Sequence, residues 1–481
     1  MLAAPAPCVF ILTALAAGVL RNVADWGWND ARMARGVALW RGYSLYPGRD
    51  SQVPIIGTMH GPVPHLLYSC LAFLKDPTLL LIAGCTLSCL LYFGAVFWLH
   101  WRTGHGVAGL YGFCACTALL LASPGAADSA LRVHVDACAI CCAILAAGLL
   151  MQTAPAGNRT LTWSAVLVML SVASKQTMAP AALALACFVW MADGRRAFVR
   201  YVAVEIAAAV AIFGAMLAFF RPPRDLLFNT FLLPANQPRT GAIVSRVLSG
   251  LVQLRGDLAV TAPPLVLLLA LFALSSGDLR EKLAKHRWLV FLWMAAFQLP
   301  IELRAWSTEG GSFNHLGIVT LFVSMATTVG LTGLWKSDLA WTGLAARALL
   351  VGILLAHFPL PLDILKDLDR VGTNRTQVAY NYARQHPGET YFPMNPLAAL
   401  LAEGRLTHLD AALYDREIAG FPISSQQLAA GLPSGCEFVA YPPKQILRAA
   451  ILRGLVNGQP LVQKPGLEGW SVYRIRRPFT R

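Results

Sequence analysis

Residues 78–99 decide the fold, and they read TLLLIAGCTLSCLLYFGAVFWL, with no charged side chain. A helix that crosses the hydrocarbon core of a bilayer needs about 20 predominantly apolar residues, and this run is long enough. Comparable runs recur at about 6–21, 105–122, 136–152, 160–173, 177–192, 200–219, 257–275, 287–303, 314–334 and 343–360. The sequence therefore predicts a mainly α, polytopic helical membrane protein with about 11 transmembrane helices.

Composition supports this class. Hydrophobic residues make up 56% of the 481 residues and charged residues only 13%, whereas soluble domains carry about 25% charged residues. A soluble enzyme of this size and a disordered chain are both excluded. Ten of the eleven cysteines lie in or beside apolar runs, so a disulfide-stapled secreted module is excluded as well.

The net charge of +14 comes from 39 Lys and Arg against 25 Asp and Glu. In a chain this apolar, the excess indicates contact with lipid headgroups rather than nucleic acid. Basic residues are densest in the short loops that alternate with longer ones, which favours a cytoplasmic N-terminus. An odd number of spans then places the C-terminus outside, and the composition is typical of the bacterial inner membrane. The short runs 160–173 and 177–192 form either a hairpin or one interrupted helix, and that choice changes the parity.

Two domains are expected. Residues 1–360 form a transmembrane bundle with an outer loop at 22–77, in which Leu66–Leu74 lies along the membrane interface. Residues 361–481 are more polar and form a small extracytoplasmic α/β domain. Periodicity in this tail predicts helices at Thr376–Gln385, Leu397–Glu403 and Lys444–Leu455, and strands at Glu389–Phe392, Glu437–Tyr441 and Ser471–Ile475.

The outer loop carries two carboxylates, Asp25 and Asp30, where the first span ends. Met33–Trp40 follows with an amphipathic pattern that predicts an interfacial helix. A carboxylate at this boundary suits removal of a proton from an acceptor hydroxyl. The alternative is that Asp30 forms a structural ion pair with a neighbouring arginine.

A second acid follows in the motif Arg132-Val133-His134-Val135-Asp136, at the start of a span. Asp136 either caps that helix or completes a two-carboxylate site with Asp30 that binds a metal or orients a substrate. A lone histidine such as His134 is more often structural than a base.

Polar residues also interrupt two later apolar regions. Lys175 and Gln176 stand between two runs, where a lysine either snorkels or contacts a phosphate. Arg304 precedes a Gly-Gly turn, and Asn314 and His315 open the next span. Either Arg304 or His315 is a candidate contact to a lipid phosphate.

The order of these motifs resembles the bacterial GT-C glycosyltransferases, multispan enzymes that use polyprenyl-phosphate-linked sugars. The resemblance rests on an acid after the first span, Gly42-x-x-Leu45-Tyr46, His60-Gly61-Pro62, Arg132-x-His134-x-Asp136, the turn 174–177 and Gly311-Ser312-Phe313-Asn314-His315. It covers about residues 6–360, and the tail more loosely.

The resemblance implies that Asp30, or alternatively Asp25, is the general base, and that Asp136 supports the site or binds a divalent cation. Lys175 would contact the donor phosphate. The other implied or candidate substrate contacts are Gln176, His60, Arg132, His134, Arg304, Asn314 and His315. Some members carry an adjacent acidic pair where this chain has Asn29-Asp30, which leaves the metal and the choice of base open. The implied partners are a polyprenyl-phosphate-linked sugar, a glycan, lipid or protein acceptor, and membrane lipid.

Two other function classes fit the composition. A transporter or flippase of a lipid-linked or anionic substrate would also carry intramembrane acids, but it places them near the bilayer midplane within repeats. No inverted repeat is visible in the sequence. A non-catalytic subunit of an envelope assembly is the third reading.

Overall fold

The computed structural model describes residues 5–25, 28–152, 156–335, 337, 340–357, 374–433, 435–443, 445–456, 460 and 464–476. Each of the eleven apolar runs gives rise to a helix. Those helices are Pro5–Asp25, Pro77–Gly104, Gly106–Ala122, Val135–Met151, Asn158–Ser174, Ala179–Asp193, Arg195–Phe219, Ala262–Leu274, Leu289–Trp306, Phe313–Leu334 and Ala340–Ala356. The described residues contain five helices that are long and apolar enough to cross a membrane, or up to seven if each bent pair counts as one span. The polytopic helical class is confirmed.

Prolines account for the two bent pairs. Gly106–Ala122 continues into Pro124–Leu131 at an angle of 105°, and Ile243–Leu258 continues into Ala262–Leu274 at 83°. In each pair the second helix carries a proline in its first turn, where the missing N–H costs no hydrogen bond. The span expected at 257–275 therefore begins later, at Ala262.

The turn at 174–177 interrupts the chain between two helices. Asn158–Ser174 ends as Lys175 adopts an extended backbone conformation, and a 3-10 turn at Gln176–Met178 leads into Ala179–Asp193. Lys175 therefore belongs to neither helix.

The chain divides into two compact units. The first comprises Met1–Gly18, Ser88–Gly214 and Arg239–Lys366. Its centre is the helix Phe313–Leu334, which is buried along nearly its whole length and packs against Leu289–Trp306, Gly106–Ala122 and Pro124–Leu131. Leu279–Lys285 is a short helix of this unit.

Two glycines let these helices approach closely. A Cβ on Gly125 would lie 2.0 Å from the carbonyl oxygen of Phe313, and a Cβ on Gly317 would lie 2.4 Å from the carbonyl carbon of Gly125. Small residues at such crossings are typical of membrane helix pairs. The contact aligns Pro124–Leu131 with the first turn of Phe313–Leu334.

The second unit comprises Val19–Leu87, Ala215–Pro238 and Asp367–Arg481. It contains a three-stranded sheet in which β1 (Thr390–Tyr391) pairs in parallel with β2 (Phe438–Tyr441), and β2 pairs antiparallel with β3 (Ser471–Arg474). Its other elements are Trp28–Trp40, Val63–Ser69, Pro223–Leu227, a π-helical turn at Phe228–Leu232, Leu233–Ala235, Arg375–Gln385, Pro396–Glu403, Asp410–Ile418, Ser425–Ala430 and Ala450–Leu455.

Both faces of this sheet are covered. Tyr391, Val439 and Tyr441 face one apolar cluster, while Phe438 and Val472 face another. The first cluster also contains Ala31 and Ile55 from the loop expected at 22–77. The loop and the tail thus share one core. The domain boundary expected at residue 360 would instead have placed the loop in the transmembrane bundle.

Several local expectations need correction. Trp28–Trp40 is not a half-exposed interfacial helix, because Met33, Val37 and Arg35 are all buried. It packs against Val63–Ser69 and Pro396–Glu403. The helix expected at 444–455 begins only at Ala450, and Lys444 lies outside the described residues. Two short helices, Asp410–Ile418 and Ser425–Ala430, were not predicted.

Candidate functional site

A buried ion pair forms the centre of the polar cluster in the first unit. Lys175 Nζ lies 2.8 Å from Asp136 Oδ1, and the two side chains are only 1% and 0% exposed. Ser129 Oγ donates a hydrogen bond of 2.9 Å to Asp136 Oδ2, and Asn314 Nδ2 lies 3.4 Å from the same oxygen. The carboxylate thus draws together residues from three helices and from the Lys175 turn.

His134 holds the start of the helix that carries Asp136. The backbone N–H of Asp136 donates to His134 Nδ1 at 3.2 Å, so the side chain that caps this helix is that of His134. Because Nδ1 accepts this bond, the neutral ring carries its proton on Nε2, which lies 3.8 Å from Asp128 Oδ2. Asp128 also pairs with Arg132.

A second buried carboxylate, Glu302, lies on the helix Leu289–Trp306. His315 Nδ1 lies 3.2 Å from Glu302 Oε2. Gln298 Nε2 donates to Glu302 Oε1 and to the carbonyl oxygen of Thr177, both at 2.6 Å. The turn that carries Lys175 is therefore connected to His315 through two side chains.

Sequence reasoning missed Gln298 and Glu302. They are spaced i, i+4 within an otherwise apolar span, a spacing that places both side chains on one helix face. Polar groups inside a span are costly unless they are partnered or functional. That spacing was the signal available in the sequence.

Asp30 lies in the second unit and is fully buried. Its Oδ1 accepts the backbone N–H of Leu397 at 2.8 Å, and its Oδ2 accepts from Asn395 Nδ2 at 3.3 Å. Burial raises the pKa of this carboxyl to about 7, although these hydrogen bonds and the Thr376 hydroxyl act in the opposite direction. Its hydrogen-bond partners are neutral groups of the tail, and not the neighbouring arginine that was the structural alternative.

The other predicted residues are placed less tightly. Arg304 is exposed at the end of its helix. Gln176 opens the 3-10 turn beside Lys175. The carbonyl oxygen of His60 accepts a hydrogen bond from Tyr46, so its backbone is fixed within the second unit. The side chain of Asp25 lies outside the described part of the chain.

Metal ligation finds no geometric support at these residues. In the described ranges, no three His, Cys, Asp or Glu side chains are grouped so that they could hold a metal ion. The side chains that contact the Asp136 carboxylate are Lys175, Ser129, Asn314 and His134, whose Nδ1 lies 3.3 Å from Oδ1.

Comparison with solved structures identifies the fold. Residues across 97% of this chain superimpose on 96% of ArnT from Cupriavidus metallidurans bound to undecaprenyl phosphate, with a TM-score of 0.60 and 12% identity. The chain has the fold of ArnT. The apo state of the same ArnT superimposes with a TM-score of 0.56 and 13% identity over 97% of both chains. The GT-C resemblance inferred from the sequence is therefore confirmed at the level of the fold.

The ArnT likeness is structural only. No protein-family model matches this sequence, and no curated protein sequence matches it either. At 12–13% identity the shared feature is the arrangement of helices and sheet, so functional roles have to be argued from this chain's own side chains.

Proposed function

We propose that this protein is a GT-C-type glycosyltransferase of the bacterial inner membrane. It transfers a sugar from a polyprenyl-phosphate donor to an acceptor hydroxyl on the outer face. The observation that carries the proposal is the shared fold, over 97% of the chain, with an ArnT crystallised with undecaprenyl phosphate. A lipid phosphate is thus a ligand that this architecture accommodates in ArnT.

The reaction is a direct displacement at the anomeric carbon. An acceptor oxygen loses its proton and attacks, while the bond to the polyprenyl phosphate breaks. The phosphate leaves as a stable anion and needs no acid. The protein's contributions are a base for the acceptor, cationic groups near the departing phosphate, and alignment of the two reactants.

Asp30 is the proposed base, with Asp25 as the alternative. A base is most effective when its pKa lies near the working pH, and burial brings the pKa of Asp30 to about 7. Because Asp30 also accepts the Leu397 amide, the base would be coupled to the tail. Loss of the acidic group and loss of this hydrogen bond must therefore be separated experimentally.

Lys175 is the proposed cation for the donor phosphate, and Asp136 is the residue that holds it. The 2.8 Å ion pair fixes the ammonium at the start of Val135–Met151, while Ser129 and Asn314 fix the carboxylate. Further proposed substrate contacts are Gln176, His60, Arg132, His134, Arg304, Asn314 and His315.

The test compares Asp30→Asn with the unmodified protein in vesicles of bacterial inner-membrane lipids. Radiolabelled undecaprenyl-phosphate-linked hexoses and pentoses are supplied with an envelope extract, and label transferred to the extract is measured. Asp30→Asn is expected to abolish transfer without loss of expression, since the amide oxygen still accepts from Leu397. Asp50→Asn, at an exposed carboxylate of the same loop, is the matched control and should transfer normally.

Two results would overturn the proposal. One is the absence of transfer by the unmodified protein with every donor. The other is movement of the labelled lipid between leaflets, equally in the unmodified protein and in Asp30→Asn, which is the behaviour of a transporter.

A further inference from the structure

The first turn of the helix Phe313–Leu334 reaches two buried carboxylates at once. Asn314 extends to Asp136, and the next residue, His315, extends to Glu302. Glu302 is completely buried, whereas the side chain of His315 retains 18% exposure. One helix end thus joins the Lys175 ion pair to a second acid through a histidine that remains accessible.

The link that reaches His315 runs through the amide nitrogen of Gln298 and both carboxylate oxygens of Glu302. Gln298 donates one amide hydrogen to the Thr177 carbonyl and the other to Glu302 Oε1, and Glu302 Oε2 faces His315 Nδ1. A carboxylate in this position fixes the ring so that Nδ1 carries a proton. The opposite ring nitrogen, Nε2, is then directed away from Glu302.

We propose that His315 contacts the phosphate of the lipid-linked donor through Nε2, and that Glu302 and Gln298 are positioning residues that aim its ring. The inference rests on the proposed function and adds a second cationic group to Lys175. With Nδ1–H donated to Glu302, the protonated ring donates Nε2–H to a phosphate oxygen. Such charge-assisted bonds are stronger than neutral ones.

The spacing of the two cations follows from the network. Gln298 holds the backbone at Thr177, two residues after Lys175. Glu302, on the same face of Leu289–Trp306 as Gln298, holds His315 of the next helix. A displacement of Gln298 or Glu302 would therefore move both Lys175 and His315, the two candidate phosphate contacts. A structural role alone would not require an ionisable, partly exposed ring at this position, because an amide can satisfy a buried acceptor equally well.

The experiment measures binding of undecaprenyl phosphate to the full chain in detergent, by native mass spectrometry and by tryptophan fluorescence. His315→Asn retains a donor near the position of Nδ1 for Glu302 but removes Nε2. It is expected to weaken binding about ten- to hundredfold, the effect of one lost hydrogen bond to a charged group. His315→Gln places an amide near the position of Nε2 and should recover part of the affinity.

The positioning role is tested at Glu302. Glu302→Gln keeps an acceptor for the ring and should bind within about threefold of the unmodified protein, whereas Glu302→Ala should lose about tenfold. His386→Asn is the matched control, because His386 also faces a carboxylate, Glu389, at 3.5 Å but lies in the tail. It should bind normally.

The outcomes are distinct. Failure of the unmodified protein to bind undecaprenyl phosphate overturns both the proposed function and this inference. Binding by the unmodified protein and equally by His315→Asn overturns the inference alone. Should His315→Asn not fold, equal binding by Glu302→Ala and Glu302→Gln overturns it instead.

Discussion

Replacing only one residue of the Asp136–Lys175 pair should destabilise the first unit strongly, whereas replacing both residues together should not. At 2.8 Å and an effective dielectric constant of about 20, the coulombic attraction is about 6 kcal/mol. Much of this attraction offsets the cost of removing both charges from water. The measurable quantity is therefore the cost of leaving one charge alone, about 3–5 kcal/mol.

The perturbation is a double-mutant cycle of Asp136→Asn, Lys175→Met and the double variant. Each single change leaves a buried charge without its partner. The double variant removes both charges, and the amide oxygen at 136 still accepts from Ser129, so its cost should be about 1 kcal/mol. The coupling free energy should then be several kcal/mol, well above the range of surface ion pairs.

The assay is equilibrium unfolding in mixed detergent micelles with increasing dodecyl sulfate, followed by tryptophan fluorescence and helical circular dichroism. Ser171→Ala removes one neutral buried hydrogen bond, from Ser171 Oγ to the Ala139 carbonyl at 2.7 Å, and should cost about 1 kcal/mol. The reasoning is refuted if the two single variants cost no more than this control, or if their costs simply add in the double variant.

Three further predictions concern packing and pH. Gly317→Ala should destabilise the first unit by about 1–3 kcal/mol, because the added Cβ meets the backbone at Gly125. The control is Gly333→Ala on the same helix, which has open space around it and should not change stability in the same unfolding titration. The free energy of unfolding contributed by Asp30 should fall as pH rises from about 4 to 7, because the pKa of its carboxyl is about 7 in the folded chain and lower in the unfolded chain. Asp30→Asn should remove this pH dependence of stability in thermal unfolding scans. Burial lowers the pKa of His408 to about 4. Its contribution to the free energy of unfolding should therefore be lost as pH falls from about 6.5 to 4, by roughly 3 kcal/mol. A His408→Asn variant that keeps the full acid sensitivity would contradict this.

The helices of the first unit could be located from the sequence because their signal is local. An uninterrupted apolar run of about 20 residues has few alternatives to a helix when no water is available for its backbone. The bends at Pro124 and Pro263 were not predicted, although their cause is local, and the span expected from 257 begins at Ala262. The polar side chains that interrupt the runs, such as Lys175, could be singled out for the same reason.

The partners of those side chains could not be deduced. The sequence left Lys175 as either a snorkelling residue or a phosphate contact and did not reveal its pairing with Asp136, 39 positions earlier. That pairing forms because Val135–Met151 packs against Asn158–Ser174, the helix that ends beside the lysine. For Asp30 the sequence left open a base role or an ion pair with a neighbouring arginine, and it did not reveal the hydrogen bond from the amide of Leu397. Such pairings depend on helix register and distance between segments remote in sequence.

The sequence alone determined that this protein is a polytopic helical bundle, because hydropathy is a property of the chain. It also determined which acids and bases lie between the apolar runs, and that the order of these motifs resembles that of a known family. Only the tertiary structure decided that the outer loop and the tail share one core. It also revealed that Gln298 and Glu302 join the Lys175 turn to His315. Burial and pairing are set by which helix faces meet, and no local pattern in the chain specifies that.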